Sequence, residues 1–344
     1  MSELTLALDA MGGDRAPYPA VKGALLAAES LHIKVILVGS EPRIREELDQ
    51  LRVRGDLAAQ GLSIEHTNVV IGMGDAPSSV LRGKKDASVA VCARLVKEKR
   101  AAGFVSAGNT GAAMAAAVGF LGRMECVHRP AIAAYLPRMD GGFSILLDVG
   151  ANVDSPPEWL QQFAVMGEEY AKFLFHVERP RIGILSTGEE PGKGNEMTKA
   201  AYELLGAMPI NFIGNVEGRD LFTGRADVIV CDGFVGNIAL KTAESLAETI
   251  LKLIKKNLMK NPVRRIGALL SRGAFKEILK VSDYSEYGGC PLLGVNGVAI
   301  IGHGRSNAKA FHNALKVAKR YVEEDVVGKT ADRILGLHGA RGAK

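Results

Sequence analysis

Ile182–Glu196, IGILSTGEEPGKGNE, is the stretch whose reading decides the fold. Ile182, Ile184 and Leu185 make a short apolar run that reads as a buried strand. Ser186-Thr187-Gly188 breaks it, Glu189 to Gly194 is rich in Gly and Pro, and Asn195 is a natural N-cap for a helix through Ala200. A strand, a glycine corner and a helix start aim backbone N–H groups at one point, which favours an anion there. Lys193 adds a mobile positive charge with three donors, so Gly188, Lys193 and Asn195 are candidate binding residues. Glu189 and Glu190 would repel a simple phosphate, so the corner is expected to handle a second polar group as well. A tight, solvated surface turn has the same composition. It is not a nucleotide P-loop: Gly188 to Gly192 is one residue short, and Gly194 replaces the Ser/Thr that would hold magnesium.

The same corner recurs along the chain. Leu4–Leu8 reads as a strand ending in Asp9-Ala10-Met11-Gly12-Gly13-Asp14, where Gly12 and Gly13 permit close backbone approach to a ligand. Gly103–Val105 runs into Ser106-Ala107-Gly108-Asn109-Thr110-Gly111 and a helix of small residues over 112–121, making Ser106, Asn109 and Thr110 a second candidate anion nest. Ala131–Leu136 and Phe143–Leu147 read as paired strands, and the second ends in Asp148, with Asn152 close behind. An Asp at the end of such a strand stands where open α/β sheets place ligand groups. Val228–Cys231 is a further buried strand turning at Asp232-Gly233, and Asn237 and Lys241 then share one helix face at i, i+4. Gly288–Gly294 reads as an apolar loop. His303 stands between glycines after the strand Val298–Ile301 and is the most site-like of the seven histidines.

Composition bounds the class. The chain has 344 residues, 47% hydrophobic and 24% charged, enough for one large or two modest α/β domains. Four scattered cysteines and separated histidines offer no metal-ligand spacing. Gly72-Met73-Gly74-Asp75-Ala76-Pro77 mimics a dinucleotide fingerprint, but Pro77 stands where the third Gly belongs, so no cofactor is expected. The opening strand lacks a basic leader and no apolar run approaches the ~20 residues of a membrane span, so a cytoplasmic protein is expected.

Charge is uneven. Leu251–Lys280 holds nine Lys/Arg against one acid (Glu277), a net of +8 in a chain of +5, so the remainder carries −3. Leu246, Ile250, Leu253, Ile254 and Leu258 recur at helical spacing, and Asn261-Pro262 starts a second amphipathic piece. Lys252, Lys255, Lys256, Arg264, Arg265 and Leu258 thus form a surface for another subunit, an anionic lipid or an acidic protein. Nothing in the pattern suggests nucleic acid.

Taken in order, the Asp9–Asp14, Ser106–Gly111, Leu147–Asn152, Ser186–Glu196 and Asp232–Asn237 motifs closely resemble those of the bacterial acyl-carrier-protein:phosphate acyltransferases of phospholipid synthesis, the PlsX family. The resemblance implies a three-layer, Rossmann-like α/β/α fold similar to isopropylmalate dehydrogenases and phosphotransacetylases, in a homodimer. It implies that acyl-carrier protein donates an acyl group to inorganic phosphate, and that a membrane glycerol-3-phosphate acyltransferase uses the product. A CoA-dependent phosphotransacetylase is the nearest alternative. Residues 1–330 are expected to form one domain, with a protruding helical hairpin at about 240–282 and a frayed tail over 331–344. The protein would sit in the cytoplasm, peripherally on the inner face of the membrane.

Phosphate attack on a thioester needs placement more than an enzyme nucleophile. The expected phosphate seats are Gly12-Gly13, Ser106–Thr110 and Lys193. Asn237, Lys241 or His303 would stabilise the oxyanion or protonate the leaving thiolate, with Asp148 and Asp232 orienting them. Ile254, Leu258, Ile266, Leu269 and Phe275 are expected to line an acyl groove between subunits.

Overall fold

The computed structural model describes residues 4–125, 127–282 and 284–342. Its strands are β1 (Thr5–Asp9), β2 (Lys34–Gly39), β3 (Leu62–His66), β4 (Gly103–Ser106), β5 (Ala131–Pro137), β6 (Phe143–Leu147), β7 (Ile182–Leu185), β8 (Phe212–Val216), β9 (Val228–Val230), β10 (Cys290–Leu293) and β11 (Val298–Ile301). Its helices are α1 (Tyr18–Leu31), α2 (Glu41–Gln50), α3 (Ser79–Arg82), α4 (Ser88–Lys97), α5 (Thr110–Ala116), α6 (Pro157–Phe175), α7 (Glu196–Gly206), α8 (Gly233–Leu258), α9 (Pro262–Leu270), α10 (Arg272–Ser282), α11 (Ala308–Glu323) and α12 (Val326–Gly342).

The strands form one sheet in the order β3-β2-β1-β4-β11-β10-β5-β6-β9-β7-β8. The first five are mutually parallel, as are the last four. Antiparallel pairings through β10 and β5 join the two blocks. Parallel strands are covered on both faces, which is why their sequences are continuous apolar runs. Leu6 and Leu8 pack with Ala24, Leu315 and Phe311 on one face. Ala7, between them, points to the other face with Phe104, Ala93 and Ala112. The result is a three-layer α/β/α fold.

β10 is an unusual bridge. It pairs with β11 only at Cys290↔Ile301 and Pro291↔Ile300, and with β5 only at Leu292↔Ile132 and Leu293↔Ala131. Because it crosses from one block to the other, the β10-side edge of β5 has no ladder partner beyond Ile132. This segment was expected to be a loop; pairing on both edges makes it a strand. The expected frayed tail is likewise helical as far as Gly342. Thr330 and Ile334 are buried, and the Arg333 guanidinium lies 3.2 Å from Glu168 and 3.0 Å from the Pro209 carbonyl. The last five residues of the small-residue helix, Ala117–Leu121, widen into π-helical turns.

Past its first turns α8 leaves the core; only Gly233 and Gly236 are buried along its length, and nothing in α9 is. Val263, Leu269 and Leu270 are 78%, 67% and 82% exposed, an apolar stripe beside the lysines and arginines. No helix among the described residues is long and apolar enough to cross a membrane.

Candidate active site

Three corners of the first block lock together. Asp9, buried at the end of β1, accepts hydrogen bonds from the Ser106 hydroxyl (2.7 Å) and the Met11 N–H (3.1 Å). Burial pushes its carboxyl up, and hydrogen bonds from Ser88 and Ser106 pull against that. A Cβ on Gly12 would lie 2.7 Å from Asp9 Oδ2 and 2.8 Å from the Gly108 nitrogen, so only glycine lets these two corners touch. The Gly302 N–H donates to the Ser106 carbonyl and the Asp14 N–H to Gly304, each at 2.8 Å, which ties in the β11 corner.

Asn109 caps α5 through the Ala112 N–H (3.0 Å). Its amide nitrogen faces the carbonyls of Gly72, Met73 and Asp75 at 3.2–3.3 Å. It therefore clamps the loop after Ile71, which Asp75 further ties to Lys84 at 2.6 Å.

The second block contributes two corners. Asp148 accepts from the N–H groups of Ile132, Gly150, Ala151 and Asn152 and from the Asn152 side chain, at 2.8–3.2 Å. Burial pushes this carboxyl up, and the surrounding donors offset part of the effect. Asp232 caps α8 at the N–H groups of Phe234 (2.9 Å) and Val235 (3.0 Å). A Cβ on Gly236 would stand 1.9 Å from the Asp148 carbonyl oxygen, so α8 begins pressed onto this loop. One turn on, Asn237 lies over Gly150, where an added Cβ would be 2.6 Å from Asn237 Nδ2.

Between the blocks lies a cavity of about 470 Å³. Asn237, Lys241, His303 and Thr110 border it, with Asp14 and Glu244. Lys241 pairs with Glu244 at 2.8 Å. His303 Nδ1 accepts from the Arg305 N–H (3.1 Å), which puts the ring proton of the neutral form on Nε2. Burial, then the Lys241 charge, holds this imidazole below its usual pKa. Cys290 also lines the cavity, and burial with Glu244 nearby pushes its thiol up to about 12.

The family described as fatty acid synthesis protein matches residues 4–329. The chain belongs to that family. It is 50% identical over 325 residues to the phosphate acyltransferase of Desulfitobacterium hafniense (strain DSM 10664 / DCB-2), covering 94% of this chain and 96% of that protein. It is 49% identical over 337 residues to the phosphate acyltransferase of Heliobacterium modesticaldum, covering 97% and 98%. Among solved structures, a phosphotransacetylase from Streptococcus pyogenes superposes with a TM-score of 0.65 at 17% identity over 94% of both chains. A 4-hydroxythreonine-4-phosphate dehydrogenase from Klebsiella pneumoniae gives 0.54 at 14% identity, over 93% of this chain and all of that one. These two likenesses are of fold.

In this family member the residues singled out in the sequence fall into three groups. Thr110, Asn237, Lys241 and His303 reach the cavity. Gly12, Gly13, Ser106, Asn109, Asp148, Asn152 and Asp232 build the corners around it. The Asn152 amide, for example, is taken up by Asp148 (3.0 Å) and the Pro130 carbonyl (2.7 Å). Gly188, Lys193 and Asn195 are not in the cavity lining. Asn195 caps α7 as expected, accepting from the Thr198 N–H at 2.8 Å. Its corner, however, borders a separate depression lined by Glu189, Glu190, Glu217 and Arg219, and Glu189 is held ionised by Arg219 and Arg225 at 2.7 Å. The reason for the separation is strand order: β9 lies between β6 and β7, which moves the β7 corner outboard. The sequence reading did not single out Asp14, Tyr135, Glu244, Tyr287, Cys290 or Ser306, which also line the cavity. Two signals were available for them: the place of Asp14 in the Asp9–Asp14 motif, and the spacing of Glu244 from Lys241, i and i+3.

Proposed function

We infer that the protein is a phosphate acyltransferase. It moves the acyl group of an acyl-carrier-protein thioester to inorganic phosphate, releasing acyl phosphate and the free carrier. The supporting observation is one cavity, lined by polar groups from both blocks together with apolar side chains, in a chain half identical to phosphate acyltransferases over nearly its full length.

In this reading phosphate sits at the N-terminus of α5, beside Gly108 and Thr110, facing Lys241. Its oxygen attacks the thioester carbon, the carbonyl becomes an oxyanion, and the carbon–sulfur bond breaks as the carbonyl re-forms. Asn237 Nδ2 and the His303 Nε2–H are the proposed oxyanion donors, each of a kind worth about 3–4 kcal/mol. The Lys241 ammonium stabilises the departing thiolate. Asp148, Asp232 and Asn109 act indirectly, by holding the corners. Phosphate is its own nucleophile: Cys290 is the thiol at the cavity, and burial keeps it protonated. Holding phosphate and thioester together supplies ~7–11 kcal/mol when the geometry is good.

The projecting α8–α10 segment suits three further roles: pairing with a second copy, steering the acidic carrier protein, and resting on an anionic membrane surface. A cytoplasmic enzyme at the inner face of the membrane would hand its hydrolysable product to a membrane glycerol-3-phosphate acyltransferase. The deciding assay is phosphate-dependent release of free carrier from palmitoyl-acyl-carrier protein, run beside palmitoyl-CoA. Turnover of the carrier substrate supports the reading. Preference for CoA would make the protein a phosphotransacetylase, and turnover of neither would end it.

A further inference from the structure

The cavity has apolar walls that the chemistry above does not use. These include Ile132 and Ala134 of β5, Ala310 and Ala314 of α11, and the rings of Tyr135 and Tyr287. We propose that the substrate's acyl chain lies along these walls, in the gap beside β10, and that Tyr135 and Tyr287 close the space and set the chain length accepted. This rests on the acyl-transfer reading and adds where the chain goes.

Three observations carry the assignment. The lining draws on both faces of the sheet: Ile132, Ala134 and Ile301 belong to the core on one face, Phe311 and Ala314 to the core on the other. β10 pairs with β5 only as far as Ile132 and with β11 only from Ile300, so the edge of β5 beyond Ile132 has no ladder partner there, and in that gap a cavity can touch both faces. Next, the side chains along its length are small. Ala310 and Ala314 are one turn apart on α11, about 6 Å, with Ala314 farther from the loop that carries His303. Their methyl groups leave width for an unbranched chain. Last, the tyrosine wall is braced. The Tyr287 ring packs edge-on against Phe143 at 4.7 Å and lies 6.4 Å from Tyr135, which sits 6.1 Å from Tyr170.

In the single chain the stripe of α8–α10 lies open, with Leu269 and Leu270 exposed, whereas Ile132, Ala134 and Ala314 are buried. Burial against apolar walls draws a methylene from water with about a fourfold gain in binding (~0.8 kcal/mol). Chain-length selectivity should therefore be steep until the chain meets the tyrosines.

The experiment measures kcat/KM for palmitoyl- and octanoyl-acyl-carrier protein with saturating phosphate. Ala314→Leu, which fills the space, is expected to lower the palmitoyl:octanoyl ratio at least tenfold. Tyr287→Ala, which opens it, is expected to raise the ratio; opposite shifts cannot come from general damage. Independently, a carrier-bound chain with a terminal diazirine should label peptides containing Tyr135, Tyr287 or Ala314 in the unaltered protein. Wild-type ratios in both variants, or labelling confined to α8–α10, would overturn the proposal while leaving phosphate-dependent turnover intact. Failure of the unaltered protein to turn over either substrate would instead strike the acyl-transfer reading itself.

Discussion

Replacing Asn237 by Ala tests the proposed oxyanion site, and the structure supplies a second way to make the same lesion. The amide stands above Gly150, on a helix that cannot slide: Asp232 caps its start, and Gly236 is pressed onto the Asp148 carbonyl. Losing one oxyanion donor costs about 3–4 kcal/mol, or 10²–10³ in kcat. Asn237→Ala should therefore lower kcat by that factor with little change in KM for the acyl carrier. Because Asn237 is exposed, denaturant stability should stay close to that of the parent. Gly150→Ala leaves the amide chemically intact but builds a methyl 2.6 Å from Nδ2. At φ +131° the new residue is also strained, at ~1–3 kcal/mol of stability. It should displace the amide and lower kcat by a similar factor. If both act through one contact, the double variant is no slower than Asn237→Ala alone. Steady-state kinetics with palmitoyl-acyl-carrier protein, beside urea melts of all four proteins, decides the matter. A kcat within threefold of the parent for Asn237→Ala, or fully additive losses in the double variant, would refute the reasoning.

Burial and Lys241 lower the pKa of His303, so the neutral ring persists below pH 6.5, and turnover should fall only as acid protonates it and breaks the Arg305 N–H contact. His303→Gln, which keeps an N–H donor, should lose that part of the acid limb; phosphate's own titration is common to both profiles, and superimposable profiles would remove His303 from the mechanism. Cys290→Ala should keep kcat within about threefold, since the thiol pKa of about 12 leaves almost no thiolate at neutral pH. A trapped acyl adduct on Cys290 by mass spectrometry would contradict direct attack by phosphate. For the projecting helices, sedimentation with vesicles rich in anionic lipid should show binding at 50 mM salt that weakens at 500 mM, at ~1 kcal/mol per basic residue engaged. Leu269→Asp with Leu270→Asp should abolish it, and absence of binding by the parent at low salt would remove the membrane from the account.

What could be read without coordinates was local. The strand Ile182–Leu185, the Asn195 cap, the β5–β6 pairing and the shared helix face of Asn237 and Lys241 each depend on residues a few positions apart, so their types and spacing carry the information. The motif order also carried the family. The allocation of the polar residues at the corners was not readable. Asp148 and Asn109 have the chemistry of site residues, yet their capacity is taken up by backbone groups, four N–H in one case and three carbonyls in the other. Strand order was equally hidden: β9, later in the chain, pairs between β6 and β7 and carries Lys193 away from the cavity that Asn237 and His303 share. The gap beside β10 exists because two blocks of strands meet through a four-residue bridge. Pairings between distant segments leave no mark on the spacing of either one. The sequence therefore specifies the corners themselves, while packing of the whole sheet decides which of them face one another.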